Sequence, residues 1–481
     1  MIPFLLILIP FITGLAAFFI RSASGVKNWA LLSSIITLVL ALGAVSWYNH
    51  PSQLSFDAEW IPILHTRFSL TLDGLSKMLG LLTAISLPLV IVSTYKNEYS
   101  KPNSFYGLLL LSQAGLLGVF LSTDALLFYF YWELALIPVY FLCSQWGGEK
   151  RIQVTFKFFV YTFLGSLLML IGILYVYFKT PDHSFALQSF YHARLSLKEE
   201  FLGFWLFFIA FAIKMPIFPF HTWQPDTYEQ SPTAVTMILS GVMVKMGLYG
   251  VIRWLLPVFP HAIARFDHIV IILSIIGVLY ASLIAIRQDD VKRLIAYSSI
   301  AHIGLMSAAL FSSQQIGMEG VLVQMFNHGI NVIGLWIVAD VIEKQLGTRK
   351  FSELGGLAQK APVLAILLVV LAFANIALPL TNSFVGEFLM FNGLFQYNFW
   401  VAAVAGISII LAAVYTLNMI QKIFYGNTVA ATEHAADSSG NVNLILILVV
   451  LVILVLGVFP QPLIELTKDT VQTVLTQIHT L

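Results

Sequence analysis

Two things are scarce in this chain of 481 residues: cysteine, present once, and charge, since only 10% of residues are Asp, Glu, Lys or Arg. A lone thiol, Cys143, excludes an internal disulfide and leaves no thiolate set for an iron-sulfur cluster. Soluble domains carry about 25% charged residues, so the deficit excludes an ordinary soluble domain. A net charge of +1 argues against a nucleic-acid partner. No G-x-G-x-x-G fingerprint follows a strand-like segment, and no strand pattern is convincing, which removes a dinucleotide site. Any redox chemistry the protein serves takes place in another chain.

What the sequence has in abundance is apolar surface: 59% of residues are hydrophobic and the mean hydropathy is +0.87. Continuous apolar runs of roughly 20 residues recur from end to end, as membrane helices require. Barrel strands would instead be short and alternating. The expected fold is therefore an all-α integral membrane protein of about fourteen spans. They fall near 2–20, 29–47, 74–94, 105–121, 124–145, 154–178, 203–220, 234–256, 268–286, 291–311, 320–342, 362–380 continuing to about 395, 399–423 and 442–466. The first run lacks a basic leader and a small-residue cleavage site, so it reads as a span and not a signal peptide. Odd-numbered loops hold 14 of the 25 basic residues and even loops with the C-terminal tail hold 7. Cytoplasmic loops are enriched in Lys and Arg, so both termini are expected outside the cytoplasm.

Two spans carry their own interruption. Pro216 and Pro219 break span seven, and Pro379 with Thr381, Asn382 and Ser383 breaks span twelve. They are five spans apart, an odd number, so two five-helix units (helices 4–8 and 9–13) would be inverted repeats. Interrupted helices in matching places of inverted halves point to an ion site. The corresponding division is 1–102, 103–257, 258–426 and 427–481.

Ionisable groups inside these runs need a reason, since each costs about 2.5 to 3.5 kcal/mol at mid-membrane. Glu133 sits in the aromatic run of span five. Lys214 precedes the first break, and Lys245 lies in span eight between small residues. Glu387 follows the second break. A carboxylate and a lysine desolvated together can trade a proton within a working pH range. The blander alternatives are a carboxylate capped by Tyr or Trp, and a lysine satisfying freed carbonyls. His302 and His328 are each as compatible with packing as with a relay. Lys157 can snorkel, and loop hydrogen bonding accounts for His221 and Asp226 as well as an access path would. No histidine pairing at metal-ligand spacing occurs, so no metal site is expected. Acidic and basic groups alternating across a bundle suit lateral proton movement through bridging water.

At Tyr131-Trp132-Glu133, Lys214-Met215-Pro216, Phe220-His221-Thr222-Trp223, Lys245-Met246-Gly247, Asp289-Asp290 with Lys292-Arg293, and Phe384-Val385-Gly386-Glu387-Phe388, the chain resembles a known family. These are the antiporter-like membrane subunits of respiratory complex I, the proton-pumping NADH:quinone oxidoreductase, and of Mrp-type antiporters. The glutamate at 387 resembles the M branch, whereas the L and N branches carry lysine there. The resemblance implies roles. Glu133 and Lys214 would sense the neighbouring subunit, Lys245 and His302 would form a central relay with His328 nearby, and Glu387 would be the terminal group. It also implies a translocase subunit of the bacterial inner membrane, beside L- and N-type partners. FMN, iron-sulfur clusters and quinone would be held elsewhere in the complex and no cofactor in this chain. A sodium/proton antiporter subunit, or the equivalent part of a membrane-bound hydrogenase, is the alternative. The family places glycines around the second break where this chain has Leu380 and Ser383, so the geometry of that break is the open question.

Overall fold

The computed structural model describes residues 1–47 and 50–479. Among them, eleven helices are long and apolar enough to cross a membrane. Ile2–Ala17 and Pro362–Asn375 are shorter apolar helices, and Leu197–Lys214 completes the set of helices on which the expected spans fall.

Burial sorts these helices into layers. The apolar windows of Thr233–Leu255 and Gln315–Leu346 are 100% buried and that of Val291–Phe311 is 94% buried, whereas Phe399–Phe424 and Gly440–Val458 bury only 28% and 33%. The outer helices present Ile410, Leu417, Leu451 and Val455 outward, as lipid contact requires. Three of the four residues Lys245, His302, His328 and Glu387 thus lie on helices that meet almost no lipid.

Both expected breaks are present. Leu197–Lys214 starts on a Ser196/Glu199 capping box. It stops at Met215, and the chain becomes helical again at Trp223–Gln230. Freed carbonyls find new donors: Trp223 Nε1 reaches Ile213 O at 3.0 Å, and Ile217 N reaches Ala212 O at 3.1 Å. The second break separates Pro362–Asn375 from Asn382–Tyr397. Here Ala377 (φ 53°) and Leu380 (φ 74°) adopt the left-handed region without being glycine, at roughly 1 to 2 kcal/mol each. Leu380 projects outward, and the Ser383 hydroxyl accepts Asn331 Nδ2 at 2.8 Å. The break therefore survives the loss of glycine by accepting strain in one place and a side-chain bond in another.

The structure departs from the sequence reading in three places. Ser55–Ile61 and Thr66–Thr71 form an antiparallel hairpin, although no strand was expected. Asp124 ties it to the bundle, accepting from Thr66 Oγ1 at 3.1 Å and from Arg67 N at 3.0 Å. The alternation of Phe56, Ala58 and Trp60 with polar residues was too short to register beside runs of twenty. The last span ends at Val458 and not near 466, because Pro460 and Pro462 intervene. A separate helix, Gln461–His479, then folds back against Gly74–Ser93 and Gln315–Leu346. Finally, span eight is not uniform: π-helical turns at Leu239–Met243 and Val251–Leu255 flank a short α-helical stretch that begins at Lys245.

Candidate functional site

The widened turn before Lys245 frees a carbonyl that its own side chain takes up: Lys245 Nζ donates to Ser240 O at 2.8 Å. The same nitrogen lies 2.8 Å from His328 Nδ1 on Gln315–Leu346. Lys245 is fully buried and His328 nearly so. Two cations cannot sit 2.8 Å apart in a buried interior, so this contact carries at most one positive charge, on the ammonium or on the imidazolium. The His328 ring is 5.7 Å, centre to centre, from that of His302 on Val291–Phe311. His302 Nδ1 in turn lies 3.1 Å from Glu387 Oε1 on Asn382–Tyr397. That last contact has the distance of an ion pair without hydrogen-bond alignment, since Glu387 Oε1 has no hydrogen-bond partner. Four of the expected residues therefore form one line across three helices and the second broken one.

Each link depends on local packing. Gly329, beside His328, meets Gly241 O and Leu82, which lets the two central helices approach. The second break is braced by Asn327 Nδ2 to Asn382 O at 2.8 Å and Asn331 Nδ2 to Asn382 Oδ1 at 3.0 Å. Ser298 Oγ, one turn from His302, lies 3.0 Å from Tyr415 Oη and pairs with Asn375 at the end of the first half-helix. A small cavity holds His302, Glu387, Ser282, Ser408 and Tyr415 on its walls.

Glu133 and Lys214 form a separate group. Lys214 Nζ is buried with no hydrogen-bond partner and stands 5.5 Å from the centre of the Trp132 ring. Glu133 Oε1 also lacks a partner. The two groups lie within each other's electrostatic reach without forming an ion pair. Gly247 packs on Phe211 O and Met215 N, which sets the helix of Lys245 directly against the end of the helix carrying Lys214.

The odd-loop end carries a network that the sequence only hinted at. Asp226 accepts from Lys157 at 2.9 Å and from Arg293 at 3.3 Å. Glu229 accepts from Arg293 at 2.7 Å and Arg349 at 2.9 Å. Lys292 meets Glu343 at 2.5 Å. These groups adjoin a groove of about 1290 Å³. Asp290 and Glu343 hold the Arg349 guanidinium above its ordinary value, against the burial that would lower it. Buried Gln224, Tyr228, Asn327 and Trp336 each leave a polar atom without a protein partner, the kind of group that buried water commonly satisfies. His221, stacked on Phe218 and edge-on to Tyr280, is buried with Nδ1 unpartnered and lies apart from the line. Sequence reasoning missed the Asn327, Asn331 and Asn382 brace; polar residues on fully apolar helices were the available signal. Among the described residues no cluster of three His, Cys, Asp or Glu could hold a metal.

The family described as NADH:quinone oxidoreductase/Mrp antiporter, TM, matches residues 122–412. NADH-quinone oxidoreductase subunit M of Rhodobacter capsulatus is 36% identical over 95% of this chain and 91% of its own length. Its counterpart in Escherichia coli K12 is 35% identical over 96% and 95%. Among solved structures, a chain of respiratory complex I from Thermus thermophilus superposes with a TM-score of 0.90 at 29% identity, covering 98% of this chain and all of that one. A chain of the Mrp complex from a Dietzia species shares the fold (TM-score 0.86, 20% identity, 98% and 97% covered).

Proposed function

The chain belongs to the transmembrane NADH:quinone oxidoreductase/Mrp antiporter family, and from that premise we propose that it moves protons in the membrane arm of an NADH:quinone oxidoreductase, as an M-type subunit. The observation that carries the reading is the buried line from Lys245 through His328 and His302 to Glu387. Lys245 and His328 share one proton, a water bridges the two imidazoles, and Glu387 attracts positive charge to His302. Glu133 and Lys214 form the input. Closing their gap would stabilise the Lys214 ammonium, and opening it would release positive field toward Lys245, which is how a neighbour could drive the line.

The energy comes from other chains: flavin, iron-sulfur clusters and quinone belong to them, and L- and N-type subunits flank this one. The odd loops face the bacterial cytoplasm and both termini lie outside. An affinity tag on the C-terminus tests the assignment. The purified assembly should reduce quinone with NADH and contain flavin and iron. A cofactor-free assembly that exchanges sodium for protons in vesicles would replace this reading with the antiporter one.

A further inference from the structure

At the even-loop end of the bundle, opposite the charge network, a cavity of about 540 Å³ lies beneath the C-terminal helix, with Thr123, Tyr191, Arg253, Asp73, Asp469 and Thr473 on its walls. Its inner wall is an ion pair that the relay does not use. Arg253 Nη2 pairs with Asp73 Oδ2, while Asp73 Oδ1 caps Gly74–Ser93 by accepting Ser76 N at 2.9 Å. Arg253 is buried, its Nε has no partner, and its guanidinium carbon stands 5.7 Å from the centre of the Tyr249 ring. Lys245, Tyr249 and Arg253 recur every fourth residue, so they form a column along one helix face from the centre of the relay to the cavity wall.

We propose that the Asp73–Arg253 pair is the closed gate of a second access to Lys245, opening on the cavity under the C-terminal helix. The proposal rests on the reading that Lys245 carries protons. A guanidinium cannot release its proton, and fixed in a narrow passage it is an electrostatic barrier to hydronium. Held by Asp73, it closes the column. Drawn aside, it leaves Tyr249 and water between the cavity and Lys245. The step itself is simple: the Lys245 ammonium gives one proton to water, which carries it to the cavity, and a neutral amine remains.

The test uses the whole assembly in sealed vesicles without NADH. A potassium diffusion potential drives protons, and an internal pH dye reads their passive influx. Arg253→Met removes the barrier. Asp73→Asn keeps a good helix cap while releasing the guanidinium, which guards against a folding failure in the first variant. Both should raise influx about tenfold, the equivalent of ~1.4 kcal/mol of closing free energy. Adding Lys245→Ala to either should return influx to the wild-type rate, because the route runs through that amine. Wild-type influx in both single variants overturns the gate. So does a raised influx that Lys245→Ala leaves unchanged, which marks a packing defect. NADH-driven pumping by Lys245→Ala alone, read in the same vesicles, tests the underlying relay separately. Undiminished pumping there sinks the relay reading, whereas lost pumping with wild-type influx in the gate variants sinks only the gate.

Discussion

Lys245 Nζ stands 2.8 Å from His328 Nδ1 in a part of the bundle that lipid does not reach. At that separation the two bases behave as one site, with one proton between them. Replacing either should then do most of the damage of replacing both. We expect Lys245→Ala and His328→Ala each to lower NADH-driven pumping, with the double variant little worse than the more severe single. Additive losses would mean that the two act independently. Lys245→Arg should be no better than Lys245→Ala, because a guanidinium cannot give up its proton.

Glu133→Gln and Lys214→Ala should assemble normally, since glutamine keeps the size and hydrogen-bonding capacity of the Glu133 carboxyl and Lys214 Nζ has no hydrogen bond to lose. Both should reduce pumping and quinone reduction together. Wild-type coupling in an assembled variant would remove Glu133 and Lys214 from the input role.

The brace at the second break is structural first. Asn382→Ala deletes the contacts of Asn382 with the Asn331 side chain and should lower the stability of the detergent-solubilised assembly by about 1 to 3 kcal/mol, the range for stranding buried polar groups. A thermal-unfolding assay reads this, and an unchanged midpoint would show that water replaces the lost amide.

Leu380→Gly should act in the opposite direction. Leu380 packs little and holds φ 74°, so glycine relieves strain of about 1 to 2 kcal/mol. A lower melting midpoint in this variant would show that the leucine side chain anchors the break.

Gly74 is where the C-terminal helix touches the bundle, and a Cβ there would collide with the Leu466 carbonyl. Gly74→Ala should displace Gln461–His479 and expose that helix to protease. Unchanged proteolysis would mean that the helix shifts without detaching.

Much of this was legible in the sequence because membrane helices announce themselves by length and charge. A lone Glu133 or Lys245 in twenty apolar residues stands out, and prolines at 216, 219 and 379 accompany both breaks. What stayed hidden was lateral: no periodicity says that His328 faces Lys245, or that Asn331 meets Asn382 from fifty residues away. Nothing in the sequence pairs Arg253 with Asp73, since their contact depends on how span eight meets span three. The hairpin and the C-terminal helix were lost for a different reason: the hairpin's alternation is short, and the C-terminal helix, although amphipathic, reads as a continuation of the apolar run before it.

Protons moved per NADH oxidised, measured in vesicles containing the assembly with Lys245→Ala and compared with wild type, tests the relay most directly. The account predicts a lower ratio with normal subunit content and flavin. An unchanged ratio would contradict it, because a chain whose buried line lacks its central base could not be carrying protons along that line.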